Sequence, residues 1–181
     1  MARFLKWGIV TAGTIASLWA GAQSLAVSDE SAWSVLRALR FADLNRIVLR
    51  RDCRGKPELA NAPICQRFEF VPDKVQENAA LPYFKKHVSA WQASEVLAFY
   101  STPAGEQLTQ TLLAEIEQNN PGLLSDTQLE SLDRFNKSSP GVALSHFATD
   151  PEQSIAVIKA IVAYSFSTPA APPASPASSK P

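Results

Sequence analysis

Two stretches of the chain decide its fold: SAWQASEVLAFYSTPAGEQL at residues 89–108 and SDTQLESLDRFNKSSPGVAL at residues 125–144. At an offset of 36 residues they share five identities in twenty positions. Each begins with a Ser that is followed three residues later by a Gln, the capping box that starts a helix. Each stretch therefore predicts a capped helix that ends near an aromatic residue, then a corner and a second helix.

The corner of each repeat contains a hydroxyl residue, a Pro and a Gly. Because Pro disfavours helical geometry in the residue before it and is common at the first helical positions, Pro103 and Pro140 predict a break between two helices. Gly105 and Gly141 then fall in the first turn of the second helix. Gly inside a helix costs about 1 kcal/mol relative to Ala, so we expect a close backbone approach at both glycines.

Apolar residues elsewhere recur mainly at spacings of three and four, which indicates amphipathic helices. Two helical stretches precede Cys53, and residues 103–118 predict a long helix. Residues 150–153 (DPEQ) form a third capping box, with Pro at the first helical position. The helix that follows, residues 154–166, is apolar almost all round, and such a helix is normally central in a fold.

Two short segments differ from this pattern. Phe68–Val71 is the one short β-like run, and Pro82 is expected to divide residues 73–87 into two short helices.

The fold prediction is an all-α protein. We expect a compact bundle of about six to eight short helices, with two helix–corner–helix repeats and one disulfide.

The disulfide prediction concerns Cys53 and Cys65, the two cysteines of the chain. An even cysteine count in an exported protein is most simply a disulfide, and a loop of this size implies about 3 kcal/mol of stabilisation. The Cys-x-x-Cys spacing of redox motifs is absent. We therefore interpret the pair as structural.

The N-terminus predicts export. Arg3 and Lys6 precede the uncharged residues 7–20, and small residues end at Ala22, which is the pattern of a signal peptide over residues 1–22. The expected location is periplasmic or secreted, by Gram-negative-type export. The alternative is an uncleaved membrane anchor, because no charge appears from Trp7 to Val27.

The remaining boundaries follow from composition. Residues 23–27 predict a short linker, residues 28–166 a single all-helical domain, and residues 167–181 a disordered tail rich in Pro, Ala and Ser.

Charge is balanced overall but unevenly placed. Seventeen basic and seventeen acidic residues give a net charge of zero, which argues against a nucleic-acid binder. Residues 29–56 carry a net charge of +3, whereas residues 87–166 carry −6. The basic segment, with Arg46, Arg50 and Arg51, is either a solvated helix face or a surface that docks on the acidic remainder or on an anionic partner.

The chain contains no enzyme signature. His87 and His146 are its two imidazoles, and neither belongs to a Gly-x-Ser-x-Gly or His-Glu-x-x-His motif. Two Cys and two His are too few for a four-ligand structural zinc site in addition to a disulfide. No phosphate loop or dinucleotide fingerprint is present, so we expect no catalytic residue, metal or cofactor. An envelope hydrolase that uses His87 or His146 with a nearby acid stays open as an alternative.

A resemblance rests on residues 86–89 and 95–105, which read KHVS and EVLAFYSTPAG. This stretch resembles the exported bacterial proteins grouped as domain of unknown function 2059, whose hallmark is an acidic-led helix that ends in Phe-Tyr-x-[Ser/Thr]-Pro-x-Gly. The resemblance implies an exported, all-helical domain with no known reaction. The matching residues also form a candidate contact surface: Phe99, Tyr100, Thr102, Pro103 and Gly105.

Together these features favour a non-catalytic exported protein that binds one protein partner in the cell envelope. An inhibitor or an immunity protein against a toxic envelope enzyme is the specific form we expect. The alternatives are the hydrolase and a membrane-anchored structural module.

Overall fold

The structure is a computed structural model, and it describes residues 26–56, 58, 61–120 and 122–167. Within these ranges the chain forms nine α-helices, one 3-10 turn at Phe68–Phe70 and no strand. The helices are α1 (Asp29–Ala38), α2 (Phe41–Gly55), α3 (Pro63–Arg67), α4 (Asp73–His87), α5 (Ala90–Tyr100), α6 (Pro103–Gln118), α7 (Asp126–Asn136), α8 (Ser139–Ala148) and α9 (Pro151–Ser167).

The all-α prediction is confirmed, and the five-residue helix α3 contributes to a helix count slightly above the one expected. The signal peptide, most of the linker and nearly all of the tail lie outside the described residues. Among the helices that the structure describes, none has the length and hydropathy needed to cross a bilayer.

The two capping boxes of the repeats are present. Ser89 Oγ accepts the amide hydrogen of Gln92, whose side chain accepts that of Ser89 in return. Ser125 and Gln128 form the same pair of bonds. Both helices therefore begin where the sequence predicts.

The third capping box is only half formed. Helix α9 begins at Pro151 as expected, and Asp150 Oδ1 accepts the amide hydrogen of Glu152 at 2.9 Å. The second bond of the box, in which the Gln153 side chain would accept the amide hydrogen of Asp150, was predicted wrongly. That amide donates instead to the carbonyl of Phe147. Gln153 is buried instead.

The repeat corners match atom by atom. Thr102 Oγ1 accepts the amide hydrogen of Gly105 at 3.0 Å and donates to the carbonyl of Phe99. Ser138 makes the equivalent bonds, accepting from Gly141 at 3.3 Å and donating to the carbonyl of Phe135. Each hydroxyl thus links the end of one helix to the start of the next.

Both corner glycines are buried, and no side chain fits at either position. A Cβ built on Gly105 would meet the Phe99 carbonyl oxygen and lie 2.8 Å from Tyr100 Cα. At Gly141 it would meet the Phe135 carbonyl oxygen in the same way. The predicted close backbone approach is confirmed at both corners.

The core is centred on α4, which packs against α1, α8 and α9. Phe84 of α4 is fully buried, and its ring meets that of Phe147 edge to face with centroids 5.3 Å apart. Val27, just before the predicted start of the domain, is also buried in this core.

Two local predictions were wrong. Pro82 lies inside α4 rather than between two helices, and its side chain is exposed, so the lost hydrogen bond is outweighed by the burial of the opposite face. Residues 68–70 form a 3-10 turn in which Phe68 is buried and Phe70 is 78% exposed. On a strand these two residues would have shared one face.

Cys53 and Cys65 form the predicted disulfide, with their Cα atoms 5.7 Å apart. It joins the last turns of α2 to α3.

Candidate functional site

An apolar cavity of about 460 Å³ opens between α2, α6, α8 and α9. Its buried lining is mostly apolar and includes Phe41, Leu113, Phe147, Val157 and Ile161. Its exposed lining residues, which mark the mouth, include Asp52, Ser154 and Ile158. A concave apolar site of this size is the usual form of a small-molecule site.

A few polar side chains also line this cavity. Asn45 Nδ2 is buried without a hydrogen-bond partner within the described part of the chain. Gln153 is only 5% exposed, and the one hydrogen bond of its side chain among the described residues is a 3.4 Å contact with its neighbour Ser154. Polar groups buried without partners cost stability, so they call for an explanation.

Tyr100 also lines the cavity. It is 6% exposed, and burial raises the pKa of Tyr100 to about 12, so its hydroxyl stays protonated at neutral pH. Across the described ranges that hydroxyl forms no hydrogen bond.

Helix α9 also carries an exposed apolar row, and one of its members, Ile158, lies at the mouth of the cavity as well. Ile155, Ile158 and Phe166 are 51%, 46% and 68% exposed, and Val162 between them is half-buried. Spacings of three and four residues place the four side chains in one row, called the α9 stripe below. The opposite face of the helix is buried in the bundle, with Val157 and Ile161 in the core.

His87 is paired with a carboxylate that the sequence did not connect to it. His87 Nε2 lies 2.7 Å from Asp150 Oδ2, and Lys86 Nζ lies 3.1 Å from the same oxygen. The hydrogen bond from His87, aided by Lys86, holds the pKa of Asp150 well below its usual range. The His146 ring stacks beside His87 with centroids 6.4 Å apart.

No nucleophile is paired with either histidine of this cluster among the described residues. In the residues that the structure covers, no hydroxyl or thiol is hydrogen-bonded to either imidazole, and neither imidazole lines the apolar cavity. A catalytic base must reach its nucleophile. The pair instead joins the end of α4 to the start of α9. Nor do the described ranges hold a group of three His, Cys, Asp or Glu side chains suited to a metal ion.

Two of the three arginines of the predicted basic face are engaged inside the molecule. Arg46 donates to Asp73, to Asp43 at 3.2 Å and to the carbonyl of Val71 at 2.9 Å. Its side chain is only 17% exposed.

Arg50 donates to Glu69 and Glu117, and the bond to Glu117 joins the basic segment of the chain to the acidic one. Only Arg51 of the three is exposed. An anionic partner would therefore meet one exposed arginine here rather than a row of three.

The residues of the Phe-Tyr-x-Thr-Pro-x-Gly motif are divided between the interior and the surface. Tyr100 and Gly105 are buried, and Phe99 is half-buried. Thr102 and Pro103 are exposed. The motif therefore builds the corner, and only its Thr and Pro are open to a partner.

Sequence reasoning missed the cavity and the His87–Asp150 pair. Asp150 precedes a Pro at the start of a helix, and that position indicated only a cap. Position 45 carried no signal of a cavity, and position 153 indicated only the end of a capping box.

The chain matches no protein-family model, no curated protein and no solved structure. The resemblance to domain of unknown function 2059 therefore stays a prediction that rests on the motif residues.

Proposed function

We propose that this chain is an exported, non-catalytic protein that binds one protein partner in the cell envelope, with the α9 stripe as its contact surface. The observation that carries the proposal is the exposure of two isoleucines and a phenylalanine in one row of a single helix. Apolar residues grouped on a surface, rather than scattered singly, mark interaction sites.

The dimensions of the α9 stripe support this assignment. From Ile155 to Phe166 the helix rises roughly 16 Å, enough for the apolar centre of a protein interface. Lys159, the one charged residue within this span, is exposed and lies beside the row, four residues after Ile155. Large apolar side chains at the centre of an interface supply most of its binding energy.

The disulfide supports export, because disulfides persist in oxidising compartments. Mass spectrometry of the protein recovered from cells tests this part directly. A mature chain that begins at Gln23 supports export with cleavage. An intact residue 1 on a membrane-bound protein would favour the alternative, a membrane-anchored structural module.

The finer form of the proposal is an inhibitor or an immunity protein against a toxic envelope enzyme. It is favoured by the disulfide and by the absence of a nucleophile next to either imidazole in the described ranges. A protein of this kind acts by covering another protein and needs no reactive group of its own.

Affinity capture from envelope extracts tests the proposal. The wild-type chain is compared with the double variant Ile155→Ser, Phe166→Ser, neither of which lines the cavity, and Leu129→Ser is the control because Leu129 is 49% exposed on a different helix. We expect wild type and control to retain the same stoichiometric partner and the double variant to lose affinity more than about tenfold. Equal capture by all three would reject the α9 stripe as the contact.

A second candidate is an envelope hydrolase, which the 2.7 Å pairing of His87 with Asp150 favours. An acid that orients an imidazole is part of many hydrolytic sites. Substitution of both His87 and His146 by Ala, tested on a phenotype of a deletion strain, separates the two functions. Full complementation by the double variant would exclude the hydrolase, and its failure with the folded protein present would favour it.

A further inference from the structure

We infer that the apolar cavity binds a single-chain aliphatic amphiphile with an uncharged, oxygen-bearing head group, such as a long-chain alcohol or a monoacylglycerol. This inference goes beyond the proposed function, because it concerns a ligand inside the bundle rather than a partner on its surface. It rests on the volume of the cavity, its polar groups and its charge.

The volume and the lining favour a small apolar ligand. About 460 Å³ falls in the usual range of small-molecule sites, roughly 300–1,000 Å³. A single aliphatic chain is narrow enough to lie among Leu112, Leu113 and Ile116 of α6 and the facing Val157 and Ile161 of α9.

The polar groups favour a head that contains oxygen. Asn45 lines the cavity, and its Nδ2 is a buried donor without a partner in the described residues. The side chain of Gln153, 95% buried in the same lining, has only its weak contact with Ser154. A hydroxyl or ester oxygen of a ligand would pair with such groups and remove the cost of burying them.

Charge favours a neutral head over a fatty acid. Asp52 is exposed at the mouth and is the one charged residue of the lining, which contains no Lys, Arg or His among the residues described. A carboxylate would therefore meet a like charge at the mouth and no cation in the cavity to balance it.

The test compares two ligands that share one twelve-carbon chain, 1-dodecanol and dodecanoate, at neutral pH. Each competes for the full-length chain with the neutral fluorescent probe N-phenyl-1-naphthylamine. We expect dodecanol to displace the probe at a concentration about tenfold lower than dodecanoate does. Failure of dodecanol to displace the probe, or equal or tighter binding of dodecanoate, would overturn the inference.

Two variants test whether the ligand binds inside the cavity. Leu112→Trp fills it, and the control Leu129→Trp adds the same bulk on the exposed side of α7. With both variants folded by circular dichroism, only Leu112→Trp should lose dodecanol binding, by about tenfold or more. Equal losses in the two variants, or none in either, would contradict the assignment.

If Leu112→Trp does not fold, the substitution Asp52→Asn provides a second test. Because Asp52 is exposed, this variant is expected to fold. It should strengthen the binding of dodecanoate and leave that of dodecanol unchanged. An unchanged preference would reject Asp52 as the source of selectivity and with it the assignment of the head group. Ile155→Ser, which lies outside the lining, should not alter amphiphile binding even where it abolishes partner capture.

Discussion

Phe99 and Phe135 occupy the same position in the two repeats, and their rings stack on each other with centroids 4.3 Å apart and planes 19° from parallel. Tyr100 meets Phe135 edge to face at 5.4 Å. The aromatic end of each capped helix is therefore the packing partner of the other. This contact explains why both helices end in an aromatic residue, and it fixes α5 and its corner against α7 and its corner.

A double-mutant cycle measures how strongly this stacking couples the two repeats. Phe99→Ala, Phe135→Ala and the double variant are compared by urea unfolding. Aromatic pairs contribute about 0.5–1.5 kcal/mol beyond the area they bury, so we expect a coupling energy in that range. Losses that add to within about 0.3 kcal/mol would show that the repeats fold without this contact.

The corner glycines should not tolerate even a methyl group. Gly105→Ala and Gly141→Ala each place a carbon against a backbone carbonyl, and we expect each to lower the free energy of unfolding by about 1–3 kcal/mol. Gly55→Ala is the matched control, because no atom lies within 4 Å of its added carbon. The control should be neutral or slightly stabilising, as is usual for Ala at an unhindered site. Equal effects at all three positions would reject the close approach.

The Asp150 cluster should make stability depend on acid pH. Because the pKa of Asp150 is lower in the folded chain than in the unfolded one, the unfolded chain binds more protons in acid. The stabilisation is complete above about pH 5 and is lost as the pH falls below about 4.

Asp150→Asn should therefore destabilise the protein most at neutral pH, and its deficit relative to wild type should shrink by pH 3. Thermal unfolding across this range is the measurement, with Asp126→Asn on the exposed start of α7 as the control. A deficit that stays constant from pH 7 to pH 3 would show that the carboxylate is not stabilised by His87 and Lys86.

Gln76 is a site where the wild-type residue weakens the fold. It is fully buried in α4, and within the described chain neither amide atom of its side chain has a hydrogen-bond partner. Gln76→Met, which keeps the shape and removes the buried polar atoms, should raise the free energy of unfolding by about 1 kcal/mol. Gln107→Met on the exposed face of α6 should change it by less than about 0.5 kcal/mol. A lower stability for Gln76→Met would mean that the amide is satisfied in solution.

The capped helices and their corners were predictable because local signals and tertiary packing favour the same structure there. Ser89 and Ser125 begin helices by bonds within four residues, and the corners at Gly105 and Gly141 are equally local. Signals of this kind depend little on the rest of the fold. The failure at Pro82 has the opposite cause, because burial of α4 against three helices overrides the local preference of one residue.

The candidate site was not predictable, because its parts come from distant segments. His87 and Asp150 are 63 residues apart and meet only when α4 packs against α9. The apolar cavity likewise needs four helices. The apolar composition of α9 was visible in the sequence. Which face of the helix would be buried depended on the position of α4.

The proposed partner surface has the most direct test in site-specific photo-cross-linking. A benzoylphenylalanine placed at Ile155 in the α9 stripe is compared in living cells with one placed at Leu129, a similarly exposed position on α7. We expect one discrete cross-linked protein from position 155 and none from position 129. Cross-links from 129 alone, or none from 155 in cells that carry the folded protein, would contradict the account.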